Sequence, residues 1–180
     1  MDFQSCVRGR RSIRRYTNEK IEHSSFEQII ELARYAPSWK NTQTTRYTLV
    51  QDKEVLQAIA EHAVLGFSYN TKTILQCPNL VILSTITKQA GFEEDGTAST
   101  RKHNGWEMFD SGIAAQTFCL SAYELGYGTV IMGIFDDLKI HEILALPENQ
   151  TVSAIIAIGK YEKTPKMPPR KEVADLVTYK

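Results

Sequence analysis

From Trp106 to Leu125 the chain carries a helical pattern in which Phe109, Gly112, Ile113, Ala114, Ala115, Phe118, Leu120, Ala122 and Leu125 leave almost no polar face. A helix that is apolar nearly all the way round has to be buried, so it is central to whatever this chain folds into. Gly126 follows at the position that closes such a helix. The runs 79–86 and 153–158 are continuous, apolar and β-branched, and predict strands buried on both faces. Shorter strands are expected at 47–51 and 129–132. A first helix spans 2–8 and ends at Gly9. The next opens on Ser24-Ser25-Phe26-Glu27, read as a capping box, and stops at Pro37. Further helices are expected over 52–64 and 136–144, the latter capped by Asp136, with a break at 66–70 and a helical turn at 71–76. Helices and strands intermix without repeat or linker, which predicts a single α+β domain over 1–180 around a central sheet.

The charges are less uniform than their total. The chain has 21 basic and 21 acidic residues, yet 8–20 carry Arg8, Arg10, Arg11, Arg14, Arg15 and Lys20 against Glu19, a local +5. Residues 160–171 carry Lys160, Lys163, Lys166, Arg170 and Lys171 against Glu162, a local +4, and the remaining 155 residues sum to −9. Both clusters are either solvated surface or the two sides of one anion site, because chain termini often lie close together. A sequence pI near 6.9 argues against a polyanionic partner such as nucleic acid.

Several chemistries find no residues to carry them. His23, His62, His103 and His141 are too dispersed to ligate a metal. Cys6, Cys77 and Cys119 are odd in number and form no C-x-x-C pair, so a reduced, cytoplasmic protein is expected. No apolar stretch approaches the ~20 residues of a membrane span. There is no nucleophile elbow and no phosphate loop, and Gly126-Tyr127-Gly128 has the wrong spacing for a dinucleotide fingerprint. What remains suits an anionic, flat ligand. Arg10, Ser12 and Arg14 share one side of an extended segment, and guanidiniums bind phosphate through paired, charge-assisted hydrogen bonds. Asn41 and Gln43 also share a side and can meet a heteroaromatic edge. Residues 88–105, polar and without period, predict a long mobile loop over a site.

Four blocks, in order, resemble the FMN-dependent nitroreductase family. They are Arg10-Arg11-Ser12-Ile13-Arg14-Arg15-Tyr16, then Ala36-Pro37-Ser38-Trp39-Lys40-Asn41-Thr42-Gln43, then Asp110-Ser111-Gly112-Ile113-Ala114-Ala115-Gln116 with Gly126, Gly128, Met132 and Gly133 after it, and finally Pro169-Arg170-Lys171. The resemblance implies a three-layer fold with a central mixed β-sheet flanked by helices, and an intertwined homodimer with FMN at the subunit interface. It assigns Arg10 and Ser12, with Arg170 or Lys171, to the phosphate end, and Arg11 reads either as a further cofactor-binding residue or, like Arg15, as a surface charge. Arg14 falls by the N1/O2 side of the flavin ring, where a cation stabilises the reduced anion. Pro37, Ser38, Trp39 and Asn41 come from the partner subunit, Gln43 is a further cofactor-binding residue, and Met132-Gly133 line the other edge. The implied reaction is hydride transfer from NAD(P)H to flavin N5 and then to a nitroaromatic, quinone or related acceptor, in a ping-pong cycle with no obligatory side-chain acid or base. A specialised flavoprotein (reductive dehalogenation or flavin storage) and a non-enzymatic anion-binding domain are the alternatives.

Two departures fall on the acceptor side. The family often continues Asn-x-Gln-Pro-Trp, whereas this chain has Thr44-Thr45-Arg46 after Gln43, and a Trp stands at 39. The loop with Phe92 and Arg101-Lys102-His103 is expected to set substrate or nicotinamide selectivity. Asp110 reads either as a ligand or as a helix-start carboxylate, and Trp39 either as a stacking surface or as a structural residue of its loop.

Overall fold

The computed structural model describes all 180 residues. In chain order the elements are α1 (Phe3–Gly9), α2 (His23–Ala33), β1 (Thr45–Val50), α3 (Lys53–His62), α4 (Ser68–Leu75), β2 (Leu80–Ile86), α5 (Gly105–Glu124), β3 (Gly128–Met132), α6 (Asp137–Leu144) and β4 (Gln150–Gly159). Short 3₁₀ turns lie at Trp39–Asn41 and Val173–Asp175. The strands form one sheet in the order β1-β2-β4-β3.

Every neighbouring pair in that sheet is antiparallel, which corrects the expected mixed sheet. Val50 at the end of β1 pairs with Leu80 at the start of β2, so the two helices between them return the chain to the end at which it left. The only parallel contact is one isolated bridge, Ser12 to Thr129.

Burial on both faces explains the unbroken apolar runs. Leu80 and Ile82 face a core shared with Leu56, Ile59, Ile74 and Ile140 from α3, α4 and α6. Val81 and Leu83 face a second core with Ile29, Ala115, Phe118 and Ala122 from α2 and α5. The result is three layers, helices on each side of the sheet. In β4 an extra residue at Ser153 shifts the register, with Leu83 opposite Ala154 and Ser84 opposite Val152. That bulge sends Val152 to one core and Ala154 to the other, and Ser153 meets Ser111 of α5 at 3.0 Å.

The termini of the elements follow local chemistry where a side chain caps them. Asp52 accepts from the N–H groups of Glu54 and Val55, and Asp136 from Lys139, as N-caps do. Gly126 closes α5 with φ +78°. The Ser24–Glu27 box does not form: Glu22 is the N-cap of α2, which starts at His23 and places Ser24 inside the first turn. Residues 68–75, expected to be partly broken, form the continuous helix α4. No helix is long and apolar enough to cross a membrane.

Candidate functional site

The basic N-terminal segment is extended, as its lack of period predicts, and it is fastened to the sheet beside β3. The Ile13 N–H donates to the Thr129 carbonyl at 2.9 Å, and the Ile13 side chain is buried against Gly128. Tyr16 donates its hydroxyl to the carbonyls of Ile13 and Ala157, and burial pushes that hydroxyl well above the ordinary tyrosine range. Asn79, fully buried at the start of β2, accepts from the Ile21 N–H and donates to the Glu19 carbonyl. These bonds hold the backbone and leave the cations alone. Arg10, Ser12 and Arg14 make no side-chain hydrogen bond and no ion pair within the chain.

Arg14 lies between two clefts. One, of about 580 Å³, is lined by Arg14, Phe67, Tyr69, Asn70, Met132 and Gly133 together with neighbouring residues of β3. The other, of about 530 Å³, runs between Ser12, Arg14 and Arg15 on one side and Lys163 and Thr164 on the other. The two basic clusters therefore do meet, through the Thr17 N–H to the Lys160 carbonyl at 2.9 Å and across this second cleft. They meet at Lys163 rather than at Arg170 and Lys171. Those two sit on the exposed tail, with the Arg170 guanidinium turned onto the carbonyls of Pro168 and Pro169. Arg11 is likewise engaged with its own backbone, donating to the Arg8 and Arg10 carbonyls.

The second group of expected residues lies elsewhere on the subunit. Pro37, Ser38 and Gln43 line a groove of about 740 Å³ with Phe26, Ile30, Tyr47 and Asp110. Trp39 and Asn41 belong to the same loop but line none of these three spaces. Lys40, Asn41 and Gln43 have φ of 44°, 57° and 50°, left-handed values that cost non-glycine residues of order 1 kcal/mol each. The surroundings hold that conformation. The Ser38 hydroxyl accepts from the Gln43 N–H at 3.0 Å, and Arg46 donates to the carbonyls of Gln43 and Thr45, both at 2.8 Å. Arg46, which follows the Thr44-Thr45 pair, is thus a brace for the loop.

Asp110 decides between its two expected readings. Its carboxylate accepts from the Trp39 backbone N–H at 2.8 Å, so it anchors the loop. Burial pushes its carboxyl above the usual carboxylate range, and the Trp39 N–H opposes the rise. One turn earlier, Glu107 accepts from the Lys88 N–H at 2.6 Å, and burial raises its carboxyl too. The stretch 88–104 is a series of turns, with Phe92 bridged to Ala98. Its Glu93 pairs with Lys40 at 3.0 Å and accepts from Ser99, contacts that hold its carboxyl below the usual range. Trp39 and Trp106 pack with ring centroids 4.8 Å apart.

Sequence reasoning did not single out Phe67, Tyr69 and Asn70. The stretch was read as a break, and an aromatic pair two residues apart was the one signal of a wall. Their rings lie 5.6 Å apart, and Asn70 is fixed by donating to the Ile134 carbonyl at 2.9 Å.

Known proteins share this fold. The FMN reductase, NAD(P)H-type, of Bacillus subtilis strain 168 is 31% identical over 171 residues, covering 88% of this chain and 67% of its own. The crystal structure of a nitroreductase family protein from Clostridium novyi NT superposes with a TM-score of 0.78 at 27% identity, covering 93% of this chain and 89% of that one. An FMN-dependent nitroreductase from Clostridium difficile R20291 does so at 0.73 and 25% identity, covering 96% and 94%. The model of the nitroreductase family matches residues 7–160, from the basic segment through the last strand, and the chain belongs to that family.

Proposed function

We propose that this chain is an FMN-dependent oxidoreductase that takes hydride from NAD(P)H and reduces nitroaromatic, quinone or related acceptors in a ping-pong cycle. The observation that carries the reading is Arg14, which no group of the chain satisfies and which borders Met132-Gly133 in one cleft and Ser12 in the other, with Arg10 also unpaired on the same segment but lining neither cleft. An unpaired guanidinium along a cleft calls for an anion. A Cβ placed on Gly133 would meet nothing within 4 Å, so that edge is open to a planar group. These residues fit FMN, and the names of the Bacillus subtilis and Clostridium difficile relatives support it.

In this reading Arg10 and Ser12 hold the phosphate, with Lys163 across the second cleft from Ser12 as the cation from the C-terminal cluster. Arg14 faces the N1/O2 side of the ring and stabilises negative charge there. Met132 and Gly133 border the ring, while Phe67 and Tyr69 offer faces to a flat acceptor. Bound FMN supplies the two-electron hydride chemistry, and no side chain has to exchange a proton.

Pro37, Ser38, Trp39, Asn41 and Gln43 lie apart from that cleft on one subunit, which supports a homodimer in which a partner presents them to the flavin. Met108 and Phe109 of α5 are exposed, as are Val173, Leu176 and Tyr179 of the tail, and an apolar surface of that kind seeks a partner. Three free, buried cysteines fit a reducing cytoplasm. The test is the purified protein itself. A yellow dimer with about one FMN per subunit is expected; a colourless protein that binds no added FMN refutes the reading.

A further inference from the structure

We infer that Asp110 and Glu107 are positioning residues which, from the first turns of α5, seat the loops 38–43 and 88–104 as one unit that sets the affinity for the acceptor. The inference rests on the proposed function, which places the 37–43 loop against flavin and acceptor.

The two carboxylates are three residues apart on α5 and are 3% and 4% exposed. Neither is in an ion pair. A buried carboxylate without a cation is costly, so an apolar residue would serve packing better. Each instead spends its charge on one backbone N–H, and the two donors belong to different loops: Trp39 for Asp110 and Lys88 for Glu107. Glu107 lies in the first turn of α5, where the helix end tolerates a negative charge best; Asp110 lies beyond that turn and has only the Trp39 N–H.

The seated loops are then joined to each other. Lys40 reaches Glu93 at 3.0 Å, Ser99 donates to the same carboxylate, and Trp39 packs on Trp106. Loop 38–43 needs such support, since three of its residues are left-handed without being glycine. Released from Asp110, it would relax away from the conformation that presents Ser38 and Asn41. Through Lys40 and Trp39 the displacement passes to the longer loop.

The molecule contains its own reporter, because Trp39 and Trp106 are its only tryptophans. FMN-loaded wild-type, Asp110→Ala, Asp110→Asn, Glu107→Ala and the double alanine variant are compared by tryptophan emission and by steady-state kinetics with a quinone acceptor. Asp110→Ala is expected to shift tryptophan emission to longer wavelength and to raise the acceptor KM about tenfold, with kcat within about twofold of wild type. Asp110→Asn restores both, because an amide oxygen accepts the same N–H. The double variant is less impaired than the product of the singles, as expected of one unit. Wild-type emission and KM in Asp110→Ala overturn the inference, and so does an Asn variant as impaired as the Ala variant. A wild type that retains no FMN or is not reduced by NAD(P)H defeats the proposed function instead, while the emission comparison still reads the seating of the loops.

Discussion

Replacing Arg14 by Ala separates ligand binding from folding more cleanly than any other change in this chain. Its side chain is exposed and makes no hydrogen bond or ion pair with the rest of the molecule, so its removal is expected to alter folding stability by less than about 0.5 kcal/mol. It borders both clefts, the one with Met132 and Gly133 and the one with Ser12 and Lys163. A charge-assisted hydrogen bond lost there costs about 1.5–3 kcal/mol, or roughly a 10- to 150-fold weaker FMN complex. Arg14→Lys keeps the charge and loses the planar fork, and should fall between. If Arg14 favours the reduced flavin over the oxidised one, the midpoint potential of Arg14→Ala falls by about 30 mV for each 1.4 kcal/mol of that preference. The assay is a fluorescence titration of flavin-stripped protein with FMN, with thermal melts in parallel and Arg8→Ala on α1 as the control for simple loss of positive charge. A dissociation constant within about twofold of wild type would refute the assignment. So would an equal loss in the Arg8 variant.

Other consequences can be checked separately. A Cβ at Gly128 would lie 2.5 Å from Ile13 and 2.6 Å from Tyr161, so Gly128→Ala should cost about 1–3 kcal/mol in denaturant unfolding and weaken FMN binding by displacing the 12–16 segment. All three cysteines are buried, and burial pushes the Cys77 thiol up to about 12; native protein at pH 8 should resist alkylation, and denatured protein should take up three equivalents by mass spectrometry. The Asp110 carboxyl is raised by burial above its ordinary value of 3.8, so what it contributes to stability is fully present below that value and is lost as the pH rises through the folded value. Asp110→Asn lacks that loss, and its melting temperature minus that of wild type should therefore rise from acid to neutral pH; a signed difference that falls contradicts the stated direction.

The layers of the fold were legible because their residues answer to local rules. The strands 80–86 and 150–159 are buried on both faces, and such segments announce themselves by continuous apolar sequence, whereas the helix 105–124, expected to be buried all round, leaves Met108, Phe109, Gly112 and Gln116 exposed on this subunit. Asp52, Asp136 and Gly126 marked ends because the capping group is a nearby residue. The direction of the strands was not legible in the same way. It depends on the path of each connection, which two helices make between β1 and β2 and the single helix α6 makes between β3 and β4, both pairs being antiparallel. The Ser24–Glu27 pattern was present without the conformation it describes, since the helix already starts at His23, with Glu22 at the N-cap position and no side-chain cap.

At the site, the block Arg10 to Tyr16 could be read because extended alternation sorts it into a buried Ile13 and outward Ser12 and Arg14. The contribution of Asp110 could not be decided, because its partner Trp39 is 71 residues away in sequence. The same holds for Glu93 with Lys40, and for the left-handed residues of the 38–43 loop, whose conformation is imposed by Arg46, Ser38 and Asp110 rather than by their own preferences. The charge pattern was half informative. It identified two basic segments that do approach one another, but the contact is at Lys160 and Lys163, with Arg170 and Lys171 farther along an exposed tail.

The central claim is that this chain moves electrons from a nicotinamide to an acceptor through a flavin held by Arg10, Ser12 and Arg14. The most direct test is anaerobic rapid mixing of the FMN-loaded protein with NADH or NADPH, followed by mixing with a nitroaromatic or a quinone. The account predicts complete bleaching of the flavin in the first step and recovery of its colour in the second, each within the time of one turnover. A bound flavin that neither nicotinamide reduces, or that is reduced and then ignores every acceptor, would contradict it.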